Sequence, residues 1–206
     1  GAVSRYDGGA VADKILEFDP VNPFENGPVL TLKAERWVIT FCSLEQLGDY
    51  RKAAGDLWVR SGIWRRLNGS PQFTGDRPGQ PGEGLAIWYV GAGRKEWNGG
   101  GKQAWYEHPV VKGPSRVHPT QKPESLMLEL IGDFTNPGET ILDPFAGSGT
   151  TGVAAKRLGR RSVLIEQNED HCKEAVARLR QSTMAFFDIP TTDTADLFSI
   201  TEEPSV

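Results

Sequence analysis

The hydrophobic positions of this 206-residue chain change period along its length, and the changes mark out its elements. Trp37-Val38-Ile39-Thr40-Phe41-Cys42 is apolar almost throughout, which reads as a buried strand, with a helix from Leu44 to Ala54 behind it. Leu57-Trp58-Val59-Arg60 and Gly84 to Val90 read as further strands. Leu126, Met127, Leu130, Ile131 and Phe134 recur at helical spacing, so a helix opens at Glu124 or Ser125. Thr140-Ile141-Leu142 reads as a buried strand, Gly152 to Leu158 as a helix, and Arg161 to Ile165 as the next strand. Asn168 suits an N-cap, and Cys172, Ala175, Val176 and Leu179 fall on one face of the helix that follows. Strands alternating with helices predict one α/β domain over residues 1–182, with a weakly structured tail from 183 to 206. Residues 1–35 carry mixed signals, helix-like from Ala10 to Leu16 and punctuated by proline from Phe18 to Pro28. Two Gly/Pro-rich stretches, Leu67 to Gly82 and Gly91 to Gly113, interrupt the pattern, and loops of that length commonly carry binding surfaces or lids.

The chemistry concentrates after the fourth of these strands. Asp143-Pro144-Phe145-Ala146-Gly147-Ser148-Gly149-Thr150-Thr151 joins a strand to a helix through a tight glycine turn. Such a turn lets a ligand lie against bare backbone amides at the positive end of a helix dipole. The spacing is not G-x-G-x-x-G, and no Lys follows the second Gly as in a phosphate-binding P-loop, so the ligand expected is one without a polyphosphate. By itself the turn could be an ordinary tight loop. Glu166 changes that, because it ends the next strand, where a carboxylate can accept hydrogen bonds from the vicinal hydroxyls of a ribose.

Composition adds a location and a partner. Hydrophobic residues make up only 38% of the chain because 24 Gly and 14 Pro take their place, which fits long loops. Cys42 and Cys172 lack metal-ligand spacing and read as buried free thiols, and no metal site is expected. No apolar run reaches the ~20 residues of a membrane span, and no signal peptide is present, so a soluble cytoplasmic protein is expected. The net charge of −4 hides an asymmetry, since no Lys or Arg follows Arg180 whereas five acids do. Residues 60–122 hold ten basic side chains against four acidic ones, with Trp64, Trp88, Trp97 and Trp105 interleaved. Such a stretch suits a nucleic-acid backbone with exposed bases, and it suits equally a solvated surface whose tryptophans belong to the core. On charge alone Arg65, Arg66, Arg77, Arg94, Lys95 and Lys102 are the candidate DNA contacts, and removing Lys95 and Lys102 is expected to weaken binding to every sequence.

His118-Pro119-Thr120-Gln121-Lys122-Pro123, the Asp143–Thr151 loop and Glu166, in that order, closely resemble the DNA methylase family that acts on exocyclic amines, N-4 of cytosine or N-6 of adenine. The resemblance is specific from Val117 to about Arg180 and looser from Trp37 through Gly113. It implies a Rossmann-like methyltransferase fold, a mostly parallel twisted sheet with helices on both faces and a long loop-rich insertion, with target recognition over residues 60–117. It implies S-adenosylmethionine as cofactor and double-stranded DNA as partner, in a bacterial or phage-type restriction-modification setting, with a homodimer possible. By the same likeness Asp143, Phe145, Gly147, Ser148 and Gly149 shape the cofactor pocket, Thr150 and Thr151 meet the methionine end, and Glu166 takes the ribose. His118, Thr120 and Lys122 sit near the methionine carboxylate.

One departure matters. The family's catalytic tetrapeptide, Asp, Asn or Ser followed by Pro-Pro and an aromatic, is missing, and Asn22-Pro23-Phe24 lacks the second Pro. The sequence expectation is therefore a methyltransferase incomplete at its N-terminus, adenine favoured over cytosine, with no catalytic residue assigned. The alternatives are a nucleic-acid-binding fragment without turnover and a methyltransferase for RNA or a small molecule on the same fold. An NAD-dependent oxidoreductase is disfavoured by the glycine spacing. His108 and His171 belong to no constellation that the sequence reveals.

Overall fold

The structure is a computed structural model that describes residues 31, 33–69, 71–116 and 121–187, without the side chains of 115 and 182–187. The expected helix at Ala10, the Pro-punctuated stretch after it, His118, Thr120 and the tail beyond 187 lie outside the described residues. Strands β1 (Trp37–Cys42), β2 (Trp58–Arg66), β3 (Gly82–Tyr89) and β4 (Trp105–His108) form one sheet in the order β1-β3-β2-β4. Strands β5 (Thr140–Asp143) and β6 (Arg161–Leu164) form a parallel pair. The helices are α1 (Leu47–Ala54), α2 (Glu124–Phe134), α3 (Thr150–Arg157) and α4 (Glu169–Phe187).

The fold is α/β, as the alternation predicts. β3 runs antiparallel to β1 and β2, and β4 runs parallel to β2, so β1, β2 and β4 share a direction and β3 is reversed. The reversal follows from the connection: residues 67–81 lead straight back beside β2, whereas β5 reaches β6 through a helical crossover. Arg66 N–H donates to the Pro81 carbonyl at 3.1 Å, and Asn68 exchanges two hydrogen bonds with the Val110 backbone, so the feet of the 67–81 loop are clamped.

Alternation along β1 explains why its sequence is apolar throughout. Trp37, Ile39 and Phe41 pack on one face with Trp64, Leu85, Ile87 and Tyr106 against α2. Val38 and Cys42 lie on the other face with Ala86 and Trp88, under Tyr50 of α1. The helix α2 buries Leu126, Met127, Leu130, Ile131 and Phe134, the face predicted from spacing. Ile141 of β5 and Ala154 and Ala155 of α3 join the same cluster, so α2 serves the four-stranded sheet and the parallel pair together. Five such side chains, at about 1.5–3 kcal/mol each, outweigh the half-exposed ion pairs around them, at about 1 kcal/mol or less apiece.

Helices cover both faces of the four-stranded sheet. On the β5–β6 pair, Ile141 and Leu164 meet the helices while Leu142, Val163 and Ile165 stay 40%, 50% and 53% exposed. The expectation of a buried strand at Thr140–Leu142 holds for one face only, since among the described residues no element packs on the other. The helix α4 extends to Phe187, past the predicted boundary at 182, because neither Gly nor Pro interrupts it.

The 91–113 stretch is docked rather than free. Trp97 meets Phe134 edge-on at 4.8 Å, and Asn98 donates to the Gly132 and Thr135 carbonyls, capping the end of α2 from a distant loop. Lys102 Nζ bonds Glu129 at 2.6 Å and Asp133 at 2.5 Å, and His108 joins Glu129 and Ser125. Burial tends to lower the Lys102 pKa, but the two carboxylates outweigh it and hold the pKa above the ordinary range.

Candidate cofactor site and nucleic-acid edge

The carboxyl ends of β1, β2 and β4 lie along one edge of their sheet, beside the start of β3. The leader of α2 arrives there too: Lys122 Nζ bonds Glu83 at 2.8 Å and stands over the rings of Phe41 (4.8 Å) and Trp64 (5.6 Å). Glu124, two residues on, pairs with Arg157 of α3 at 2.7 Å. Arg36, just before β1, pairs with Glu139, just before β5, so the two strands start on one side and the glycine loop at the end of β5 opens on this same carboxyl edge, where ligands sit in open α/β sheets.

Within the loop, Gly147 (φ +52°) and Gly149 (φ +74°) take left-handed conformations. A Cβ on Gly149 would lie 2.7 Å from the Ala175 Cβ, so α4 closes against the turn. Asp143 accepts from the Phe145 amide at 3.0 Å and from Thr151 Oγ1 at 2.5 Å, fixing both ends of the turn. Glu166 Oε2 accepts from the Gly147 amide at 2.8 Å, and Oε1 from the Asn168 amide at 2.9 Å. Burial pushes the Glu166 carboxyl up. The Asn168 and Gly147 amides, nearby His171 and the Gln167 amide together overcome that and hold it below the usual carboxylate range. An ionised carboxylate offers about four acceptor sites, and two are used here, so a vicinal diol can still be gripped. Asn168 caps α4 as predicted, through Oδ1 to the Asp170 and His171 amides. Phe145 is 57% exposed at the mouth of the loop.

The structure brings Asp143, Phe145, Gly147, Ser148, Gly149, Thr150, Thr151 and Glu166 together around one turn. It redistributes their roles. Ser148 and Thr150 are 3% and 5% exposed, and both accept from Arg178 of α4, a residue the sequence analysis did not single out. The available signal was spacing, since Arg178 lies three residues after Ala175 on the inward side, whereas Val176 is 46% exposed. Lys122 stands at the expected edge but faces Glu83, which keeps the leader of α2 on β3. His171 lies 3.8 Å from Glu166, so it does border the site.

The candidate DNA contacts divide between two edges. Arg65 and Arg66 end β2 and Arg77 sits in the 67–81 loop, all on the carboxyl edge. Arg94 and Lys95 follow the end of β3 on the opposite, amino edge, where the Glu96 carbonyl accepts from Arg36 and Trp37. A depression of about 410 Å³ lined by Arg94 to Asn98 lies there, away from the glycine loop. Lys102 is tied to two acids, and Trp64 and Trp88 are 2% and 1% exposed. The basic, aromatic stretch is thus largely core and internal pairing, with Phe73 at 80% and Trp105 at 48% the exposed aromatics.

With the geometry in place, comparison with known proteins is decisive. A family model described as DNA methylase, of the N6/N4 type, matches residues 50–177. The chain belongs to that family. It is 56% identical over 62 residues to the type II methyltransferase M2.DpnII of Streptococcus pneumoniae, covering 30% of this chain and 23% of that one. It is 30% identical over 166 residues to M.HinfI of Haemophilus influenzae, covering 70% of this chain and 46% of that one. The chain thus spans about a quarter and about half of the length of these two relatives. Among solved structures of the methylases, M1.HpyAVI in complex with SAM superposes with a TM-score of 0.58 at 30% identity, over 69% of this chain and 74% of that one. PvuII cytosine-N4 methyltransferase, at 14% identity and a TM-score of 0.54 over 66% and 59% of the chains, shares the fold.

Proposed function

We propose that this methylase-family chain binds S-adenosylmethionine at the Asp143–Thr151 loop and transfers its methyl group to an exocyclic amine of a base in double-stranded DNA. The observation that carries the reading is Glu166, an ionised acid at a strand tip, hydrogen-bonded across the glycine turn to Gly147. The residues fit the cofactor: they offer a left-handed turn on whose own carbonyl and hydroxyls Arg178 is spent, a diol acceptor, and an exposed ring, Phe145, for a planar base. When bound, the cofactor would supply a methyl group on a sulfonium; a neutral amine attacking the methyl carbon would release the thioether and shed one proton. The part left to the protein is positioning. Glu166 holds the sugar, the Gly147–Gly149 turn sets the depth of the adenosyl group, and Asp143 with Thr151 keeps the turn from opening. No residue among these orients the target amine, and N-6 of adenine is carried forward from the sequence expectation as the target.

Titration with S-adenosylhomocysteine should show heat and one site per chain, and a tritiated cofactor should label unmethylated duplex DNA in preference to RNA. Analysis of the labelled nucleoside separates adenine from cytosine. Absence of cofactor heat overturns the reading. DNA binding without cofactor heat would instead favour the nucleic-acid-binding alternative.

The Glu166 pKa sets the pH dependence. Its folded-state pKa lies below the unfolded value near 4.5, so its contribution is present above that value and is lost as pH falls through the folded pKa. Cofactor affinity should therefore not fall between about pH 8 and about pH 5, and should drop only in stronger acid. A decline beginning near neutrality would contradict this.

The edge geometry also revises the expected DNA contacts. Replacing Arg65 and Arg77 together by Ala should weaken binding to all duplexes and reduce the salt slope by about two units. Replacing Arg94 and Lys95, on the far edge, should leave the slope unchanged. Equal effects of the two pairs in anisotropy titrations would remove the carboxyl edge as the DNA-facing side.

A further inference from the structure

We infer that Arg178 of α4 is a positioning residue for the cofactor, setting the shape of the glycine loop through Ser148 and Thr150 without itself touching the ligand. This rests on the reading of that loop as the cofactor site. Arg178 Nη1 donates to the Ser148 carbonyl at 2.7 Å, to Ser148 Oγ at 2.9 Å and to Thr150 Oγ1 at 3.1 Å. Both acceptor residues are buried, so their hydroxyls serve the arginine rather than the cleft. Between them Gly149 holds its left-handed turn against Ala175, one helical turn before Arg178. The carbonyl of the Ser148–Gly149 peptide is drawn towards α4, which fixes the plane of that peptide. Glu166 holds the other side of the turn through the Gly147 amide. The loop is thus gripped from two sides by Arg178 and Glu166, while Asp143 ties its own ends together.

The chemistry explains why a cation stands here. A carbonyl and two hydroxyls buried side by side are acceptors that go unsatisfied if no donor reaches them, and a charged donor serves them best. Burial opposes the charge on Arg178, while Glu124 and Glu174 favour it. Glu124 also pairs with Arg157, so the leader of α2, the loop and α4 meet in one charge-balanced group. All three hydrogen bonds leave a single nitrogen, which makes the guanidinium a point donor in this setting. An ammonium group with three donors can take its place.

The test uses the full chain. Calorimetry with S-adenosylhomocysteine and anisotropy with a cofactor-free DNA duplex are run on the parent, Arg178→Gln, Arg178→Lys and the double variant Ser148→Ala with Thr150→Val. Arg178→Gln should weaken the cofactor about tenfold while DNA affinity stays within about twofold. Arg178→Lys should recover cofactor affinity to within about threefold of the parent. The double variant, which keeps the Ser148 carbonyl, should lose affinity about threefold to fivefold, and it decides the matter if Arg178→Gln does not fold. Parent-like cofactor binding in Arg178→Gln, or in the double variant in its place, overturns the inference and leaves the proposed function standing. So does a parallel loss of cofactor and DNA that Lys fails to rescue, which would mark a purely structural role. A parent chain that gives no heat overturns both.

Discussion

Glu166→Ala should bind S-adenosylhomocysteine at least about a hundredfold more weakly than the parent, the largest single effect expected on ligand binding. Two consequences combine. The variant loses the acceptor proposed for the ribose hydroxyls, where hydrogen bonds to a charged group contribute about 1.5–3 kcal/mol each. It also frees the Gly147 and Asn168 amides, so the turn loses one of its two holds. A hundredfold corresponds to about 2.7 kcal/mol, less than two such bonds, which allows for water replacing the carboxylate at a partly open site. Glu166→Gln keeps an oxygen and should fall between. If the alanine variant bound within about threefold of the parent, the acid would not be the sugar ligand.

Gly149→Ala should destabilise the chain by about 2–3 kcal/mol and weaken the cofactor with it. An L-residue at φ +74° is strained, and the added methyl would stand 2.7 Å from the Ala175 Cβ and 3.1 Å from its Cα. The Cα belongs to the backbone of α4 and cannot swing aside. Gly159 provides the control, with φ +71° and nothing within 4 Å of its would-be Cβ. Alanine there carries the backbone strain without the collision and should cost about 1 kcal/mol. Urea unfolding of the two variants separates the terms, and equal midpoints would show that contact with α4 is not what requires glycine at 149.

What the sequence made legible was local. Five apolar residues at helical spacing placed the buried face of α2 correctly, because one long helix crossing a core leaves a clean period. The glycine turn and Glu166 were readable for the same reason: a strand, a turn and a helix follow one another within thirty residues. What escaped depends on partners distant in the chain. Lys102 reads as a candidate DNA contact until α2 brings Glu129 and Asp133 to it, and Trp64 and Trp88 stay open between base-stacking and core until β2 and β3 turn them inward. Composition counts charges and rings but not who meets them. Arg178 was missed because an arginine on a helix is ordinarily solvated, and only the buried loop carbonyl opposite it says otherwise. His108 was passed over for the same cause, its partners Ser125 and Glu129 lying one element away. The half-open strand β5 reads as buried in sequence because an apolar run does not reveal which face a helix will cover.

The clamped feet of the 67–81 loop bear on how such a protein could diversify. The Arg66–Pro81 hydrogen bond extends the β2–β3 pairing into the two ends of the loop, and the Asn68–Val110 pair ties its first residues to the segment after β4. Doubling the length of a flexible segment adds only about 0.6 kcal/mol of closure entropy. Longer or different segments can therefore be spliced between those anchors with little penalty to the scaffold. The segment on the edge proposed to face DNA is free to vary at a rate that the glycine turn, wedged against a neighbouring helix, could never tolerate.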